Sequence, residues 1–140
     1  METTPAARIQ ASFRVLAPRA AELVDSFYAR LFEAAPQARA LFPAELDAQK
    51  RHLLAALALV VREAEQLERL APALREMGAR HVSYGARPEH YPLVRDTLLA
   101  TLESFAGVSW NAQLAADWRG ALDQVAALML EGAQRAECAA

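Results

Sequence analysis

The sequence predicts an all-α domain, and three observations carry that expectation. Alanine and leucine dominate a chain that is 54% apolar, while β-branched residues, which favour strands, are few. No alternating apolar–polar run long enough for a strand persists. Apolar residues recur instead at intervals of three and four, the spacing of one helix face. At 140 residues the length suits one domain with one core, so a single domain over 1–140 is expected, with frayed tails at 1–6 and 134–140.

Each helix can be read in turn. Ile9, Phe13 and Leu16 form the first stripe, and Pro18 ends that helix and opens the next. Leu23, Phe27 and Leu31 form the second stripe, flanked by Val24 and Tyr28, until Pro36 stops it. One short helical turn to Phe42, closed by Pro43, comes next. From about Leu46 to Ala64 the stripe is Leu46, Leu53, Leu57 and Val60, and Gln49 falls on it, four residues before Leu53. Leu70, Leu74 and Met77 continue with the same spacing, and the next position on their face is His81. Gly85 suits a helix stop, and Pro88 and Glu89 suit a start, with Tyr91, Val94, Leu98 and Leu102 facing inward. Gly107 and Ser109 mark a loop before a last helix from about Asn111, striped by Leu114, Trp118, Leu122, Val125 and Met129. The expected total is six main helices and one short one.

Charge and cysteine usage exclude several functions. Fifteen basic and 17 acidic residues, net −2, are spread along the chain, which supplies no patch for nucleic acid or an anionic membrane. The longest apolar run, Leu53 to Val61, is nine residues, against the roughly 20 a membrane-spanning helix needs. Cys138 is the sole cysteine, so neither an internal disulfide nor a thiolate metal cluster can form. No signal-like segment opens the chain, and a soluble, unprocessed cytoplasmic protein is expected.

The candidate chemistry lies in three polar side chains on apolar stripes: His81, Gln49 and Tyr28. Each costs roughly 1–3 kcal/mol if buried without a partner, so something inside must satisfy them. A core histidine bonded to a backbone carbonyl is the plainer reading of His81, and an amphipathic core tyrosine that of Tyr28. No Glu-x-x-His pair supports a carboxylate-bridged di-iron site, and no paired histidines at helical spacing support zinc. One inward imidazole without protein co-ligands suits a metal whose other bonds come from a macrocycle, namely haem.

Segments in a particular order carry a family resemblance: Ser26-Phe27-Tyr28-Ala29-Arg30-Leu31-Phe32, Ala40-Leu41-Phe42-Pro43, Ala48-Gln49, Arg80-His81 and Glu89-His90-Tyr91-Pro92-Leu93-Val94. From about Phe13 to Met129 the chain resembles the bacterial single-domain globins and the globin module of flavohaemoglobins. The resemblance implies a globin fold around haem b (iron protoporphyrin IX), with His81 as the proximal iron ligand. It implies a distal pocket of Tyr28, Gln49 and Leu53, and Phe42 packed on the haem face. Leu57, Leu74, Met77, Tyr91 and Val94 are expected to complete the cofactor's lining. His52 is expected at the helix edge, facing solvent or a propionate, with a second iron ligand as the alternative. His90 is expected in solvent, and Arg80 and Arg87 either near a propionate or as plain surface charges.

The family's proximal tyrosine matches Tyr91, but the glutamate that usually accompanies it does not: Ala133 stands at that position, and Glu131 lies two residues away on another helix face. That departure favours simple ligand binding over peroxidase-like activation. The expected ligands are oxygen, nitric oxide and carbon monoxide, with Tyr28 and Gln49 donating to bound oxygen. The expected function is reversible oxygen binding with nitric oxide oxidised to nitrate, using a separate flavin-dependent reductase in trans. Non-enzymatic oxygen storage, delivery or gas sensing is the alternative, and a cofactor-free partner-binding module a third class.

Overall fold

Thr4 opens the first helix of the computed structural model, which describes residues 3–139. Its side-chain oxygen accepts the Ala7 N–H at 3.0 Å, satisfying a donor that a helix start leaves without an internal partner. Pro5 sits in the first turn, where no donor is needed. Helix α1 spans Pro5–Leu16, a 3-10 turn at Ala17–Arg19 absorbs Pro18, and α2 spans Ala20–Ala34. A 3-10 segment, Pro36–Leu41, leads to Phe42, and α3 runs Asp47–Arg62. Another, Ala64–Leu70, precedes α4 (Ala71–Ser83); α5 spans His90–Ala106, and a turn at Gly107–Ser109 leads to α6 (Ala112–Ala139).

The all-α class and the six main helices follow the sequence reading, and among the described residues there is no strand. Where one short helix was expected, four 3-10 segments stand among the described residues. The ends also differ from the expected tails, although residues 1, 2 and 140 of those tails lie outside the described residues. Helix α1 already begins at Pro5, with Ala6 buried, and α6 continues through the polar stretch from Gln134. Packing explains the second difference. The C-terminal half of α6 lies along α4 and buries Ala133, and its alanines favour helix.

Gly85 ends the α4 region at φ 90°, a backbone conformation that a Cβ disfavours. The chain folds back there, and the Ala86 N–H donates to the His81 carbonyl at 3.0 Å. This turn places His81 at the last turn of α4, directly before the α4–α5 connection.

Helix α4 packs chiefly on α6, α2 on α5 and α3, and α1 on α6. Two apolar clusters result. The first centres on Trp118 and Leu102, both fully buried, and includes Ile9, Leu23, Val60, Leu70 and Leu74. The second gathers Val24, Phe27, Tyr28, Leu31, Leu57, Leu98 and Leu122. Phe13 and Leu99 pack against both, which joins them into one core. Thr97 and Thr101 are buried within it without polar cost, because each hydroxyl donates to the carbonyl four residues earlier, both at 2.7 Å.

Candidate functional site

Helix α4 carries His81 with one nitrogen already committed. Its Nδ1 lies 2.7 Å from the Met77 carbonyl oxygen. A carbonyl can only accept, so Nδ1 carries a proton, and in the neutral ring that leaves the lone pair on Nε2. The ring packs edge-on against the half-exposed Tyr84, with centroids 5.5 Å apart.

A cavity of about 160 Å³ opens beside this ring. His81 and His90 reach it from either side of the α4–α5 turn; Tyr91, Val94 and Leu98 line it from α5, and Leu122, Val125 and Met129 from α6. The wall is almost wholly apolar apart from the two imidazoles, Arg95 and the Tyr91 hydroxyl. That hydroxyl is buried and has no hydrogen-bond partner. Burial raises the Tyr91 pKa above the ordinary phenol value, so the group stays protonated.

Tyr28 occupies the second cluster, 4% exposed, with its ring edge-to-face on Phe42 at 5.7 Å and on Phe27 at 5.0 Å. Desolvation raises its pKa, and the side chain of the half-buried Gln49 nearby partly offsets the rise. A phenol from α2 and an amide from α3 thus meet, with Phe42, Leu53 and Leu57 packed around them. Leu98 and Leu122 belong both to this cluster and to the cavity wall. The His81 side and the Tyr28 side therefore share one apolar interior.

Most of the sequence-predicted positions converge here. Tyr28, Gln49, Phe42, Leu53 and Leu57 gather on one side, and His81, Tyr91 and Val94 on the other, with Met77 supplying the carbonyl. Leu74 does not join them. It is buried in the first cluster, two helical turns before His81 on the same face of α4, and does not line the cavity.

His90, expected in solvent, is half-buried at the cavity edge, and its Nδ1 accepts the Arg87 N–H at 3.0 Å within the turn that precedes α5. Arg80 pairs on the surface with Glu76 at 3.5 Å, and His52 is exposed. The cavity walls Leu122, Val125 and Met129 were legible as an inward stripe of α6, but nothing in their spacing marks them as lining a site rather than filling a core.

The donor set fits an iron porphyrin. Among the described residues no group of three His, Cys, Asp or Glu side chains could hold a metal, so a metal on His81 needs its other ligands from a macrocycle. The imidazole has the tautomer that ligation requires, with the carbonyl partner that usually orients a ligating histidine.

Residues 25–129 match the globin family. The flavohemoprotein of Rhizobium meliloti (strain 1021) is 28% identical over 124 residues, covering 86% of this chain and 31% of its own length. The anaerobic nitrite reductase HBII of Casuarina glauca is 29% identical over 136 residues, covering 86% of this chain and 85% of the relative. An engineered carbene transferase made from a proposed nitric oxide dioxygenase of Rhodothermus marinus superposes with a TM-score of 0.83 at 26% identity, covering 100% of this chain and 99% of the other.

The all-helical fold is that of the globins, and the chain belongs to the globin family. Within that family it is similar to bacterial globins and to the globin module of flavohemoproteins, and it spans less than a third of the flavohemoprotein's length. Membership implies haem binding and diatomic gas ligands. No helix among the described residues is long and apolar enough to cross a membrane.

Proposed function

We propose that this globin holds haem b through His81 Nε2, binds oxygen reversibly, and converts nitric oxide to nitrate when a separate flavin-dependent reductase supplies electrons. The observation that carries the reading is the His81–Met77 hydrogen bond, which presents Nε2 to an apolar interior bounded on its other side by Tyr28 and Gln49. When bound, the haem supplies the iron at which oxygen and nitric oxide combine to nitrate, and the iron must then be reduced.

The chain's own residues contribute three things. His81 anchors the cofactor as a neutral imidazole, and Val94, Leu98 and Leu122 keep water from it. Phe42 and Leu53 flank the distal side. Tyr28, kept protonated by burial, and Gln49 donate hydrogen bonds to a diatomic ligand, stronger in a dry pocket than in water. The description of the Rhodothermus marinus neighbour as a proposed nitric oxide dioxygenase supports nitric oxide as a substrate.

Non-enzymatic oxygen storage, delivery or sensing is the second reading, and one observation favours it. The Tyr91 hydroxyl has no carboxylate partner, so no anionic relay increases electron donation through His81. The deciding experiment is steady-state nitric oxide consumption by the purified protein with NADH and a supplied flavin reductase. Sustained turnover supports the dioxygenase, and a single stoichiometric turnover supports the binding protein. Absorption spectra of ferric, ferrous and carbonyl forms that are identical in His81→Ala would overturn both.

A further inference from the structure

Helices α4 and α6 cross with their backbones in direct contact at two glycines. A Cβ at Gly78 would overlap the carbonyl of Met129, and a Cβ at Gly132 would overlap the carbonyl of Arg75. The arrangement is reciprocal: each helix has a glycine where the other's backbone enters. The obstruction in both cases is main chain, which no rotamer change can clear, so any side chain at either position must push the helices apart. The Arg75–Glu131 ion pair, 3.2 Å, spans the same crossing from the outside.

The crossing lies at the point of α4 that determines His81. Gly78 is three residues, under one turn, before the imidazole. Its peptide nitrogen is bonded to the Met77 carbonyl carbon, whose oxygen holds His81 Nδ1. The backbone that orients the ring is therefore the backbone pinned to α6. Gly120, also on α6, is a natural contrast: a Cβ there would meet nothing within 4 Å.

From this geometry we infer that Gly78 and Gly132 are positioning residues for the iron ligand. By admitting α6 against α4 they would set where the His81 imidazole stands when it holds the iron, together with the Met77 carbonyl that orients it. The inference rests on His81 being the haem ligand. Enlarging either glycine displaces the α4 backbone that carries both Met77 and His81, which disturbs the seating of the ring at the iron and weakens the iron–histidine bond.

The test is resonance Raman spectroscopy of the ferrous, ligand-free, haem-loaded protein. The iron–histidine stretch is expected to shift to lower frequency in Gly78→Ala and Gly132→Ala, and to keep its position in Gly120→Ala. Unchanged frequencies in both of the first two variants overturn the inference. If neither variant folds with haem, hydrogen exchange on the unsubstituted haem-loaded chain decides. Amides 77–81 exchanging together with amides 129–132 support a single pinned unit, and much faster exchange at 77–81 overturns it. A spectrum of the unsubstituted protein that lacks the iron–histidine stretch overturns the proposed ligation itself, and that failure is visible without any glycine variant.

Discussion

Glu131 Oε1 lies 3.2 Å from Arg75 Nε and 3.5 Å from Arg135, so this carboxylate is held on the α4–α6 surface while the buried Tyr91 hydroxyl has no partner. The acid nearest in sequence to Ala133 is thus committed elsewhere, and Tyr91 stands beside His81 as an unpaired dipole.

Replacing Tyr91 should therefore cost little. An unpartnered buried hydroxyl carries a desolvation penalty of about 1–3 kcal/mol, so Tyr91→Phe is expected to leave stability unchanged or raise it. Urea denaturation of the haem-loaded protein measures this. A clear loss of stability would show that the hydroxyl has a partner of consequence in solution.

Tyr28→Phe should act on the ligand instead. The phenol is buried and kept protonated by desolvation, with the Gln49 amide as its polar neighbour. Losing a hydrogen bond of about 1–2 kcal/mol to bound oxygen corresponds to roughly 5- to 30-fold faster release. Stopped-flow oxygen dissociation reads the change, and a rate equal to that of the unsubstituted protein would remove Tyr28 from the distal pocket.

The buried phenols also set the alkaline limit. Tyr28 and Tyr91 both have pKa values raised above the ordinary phenol value of about 10, chiefly by desolvation. Their neutral forms are favoured by the folded state, so this contribution to stability is intact below the unfolded tyrosine pKa. It is lost as pH rises from there through the folded values. Urea midpoints should fall above about pH 10, and less steeply in a Tyr28→Phe/Tyr91→Phe double variant. Parallel curves for the two proteins would contradict this assignment.

Core and site should separate cleanly under mutation. Leu102 is fully buried in the Trp118 cluster and does not line the cavity. Leu102→Ala is expected to cost about 2–5 kcal/mol of stability while leaving the ferrous carbonyl spectrum in place. A shifted spectrum at equal folding would mean that the two clusters are more tightly coupled than Phe13 and Leu99 suggest.

Helical spacing is a property of one segment at a time, and what it determines could be read directly. It placed Tyr28, Gln49, Leu57 and His81 on inward faces, because a three-and-four repeat fixes which residues share a side of a helix whatever packs against it. It also located the stops at Pro18 and Gly85, where backbone chemistry is local.

Tertiary structure alone decided what those faces meet. Leu74 and His81 share a stripe, yet one fills the core against α6 and the other borders the cavity. Neither the Arg75–Glu131 pair nor the opposed glycines at 78 and 132 leave any mark on the pattern of a single helix. Their partners lie far apart in sequence and come together only through the angle and depth at which two helices cross, which every side chain in the interface sets jointly.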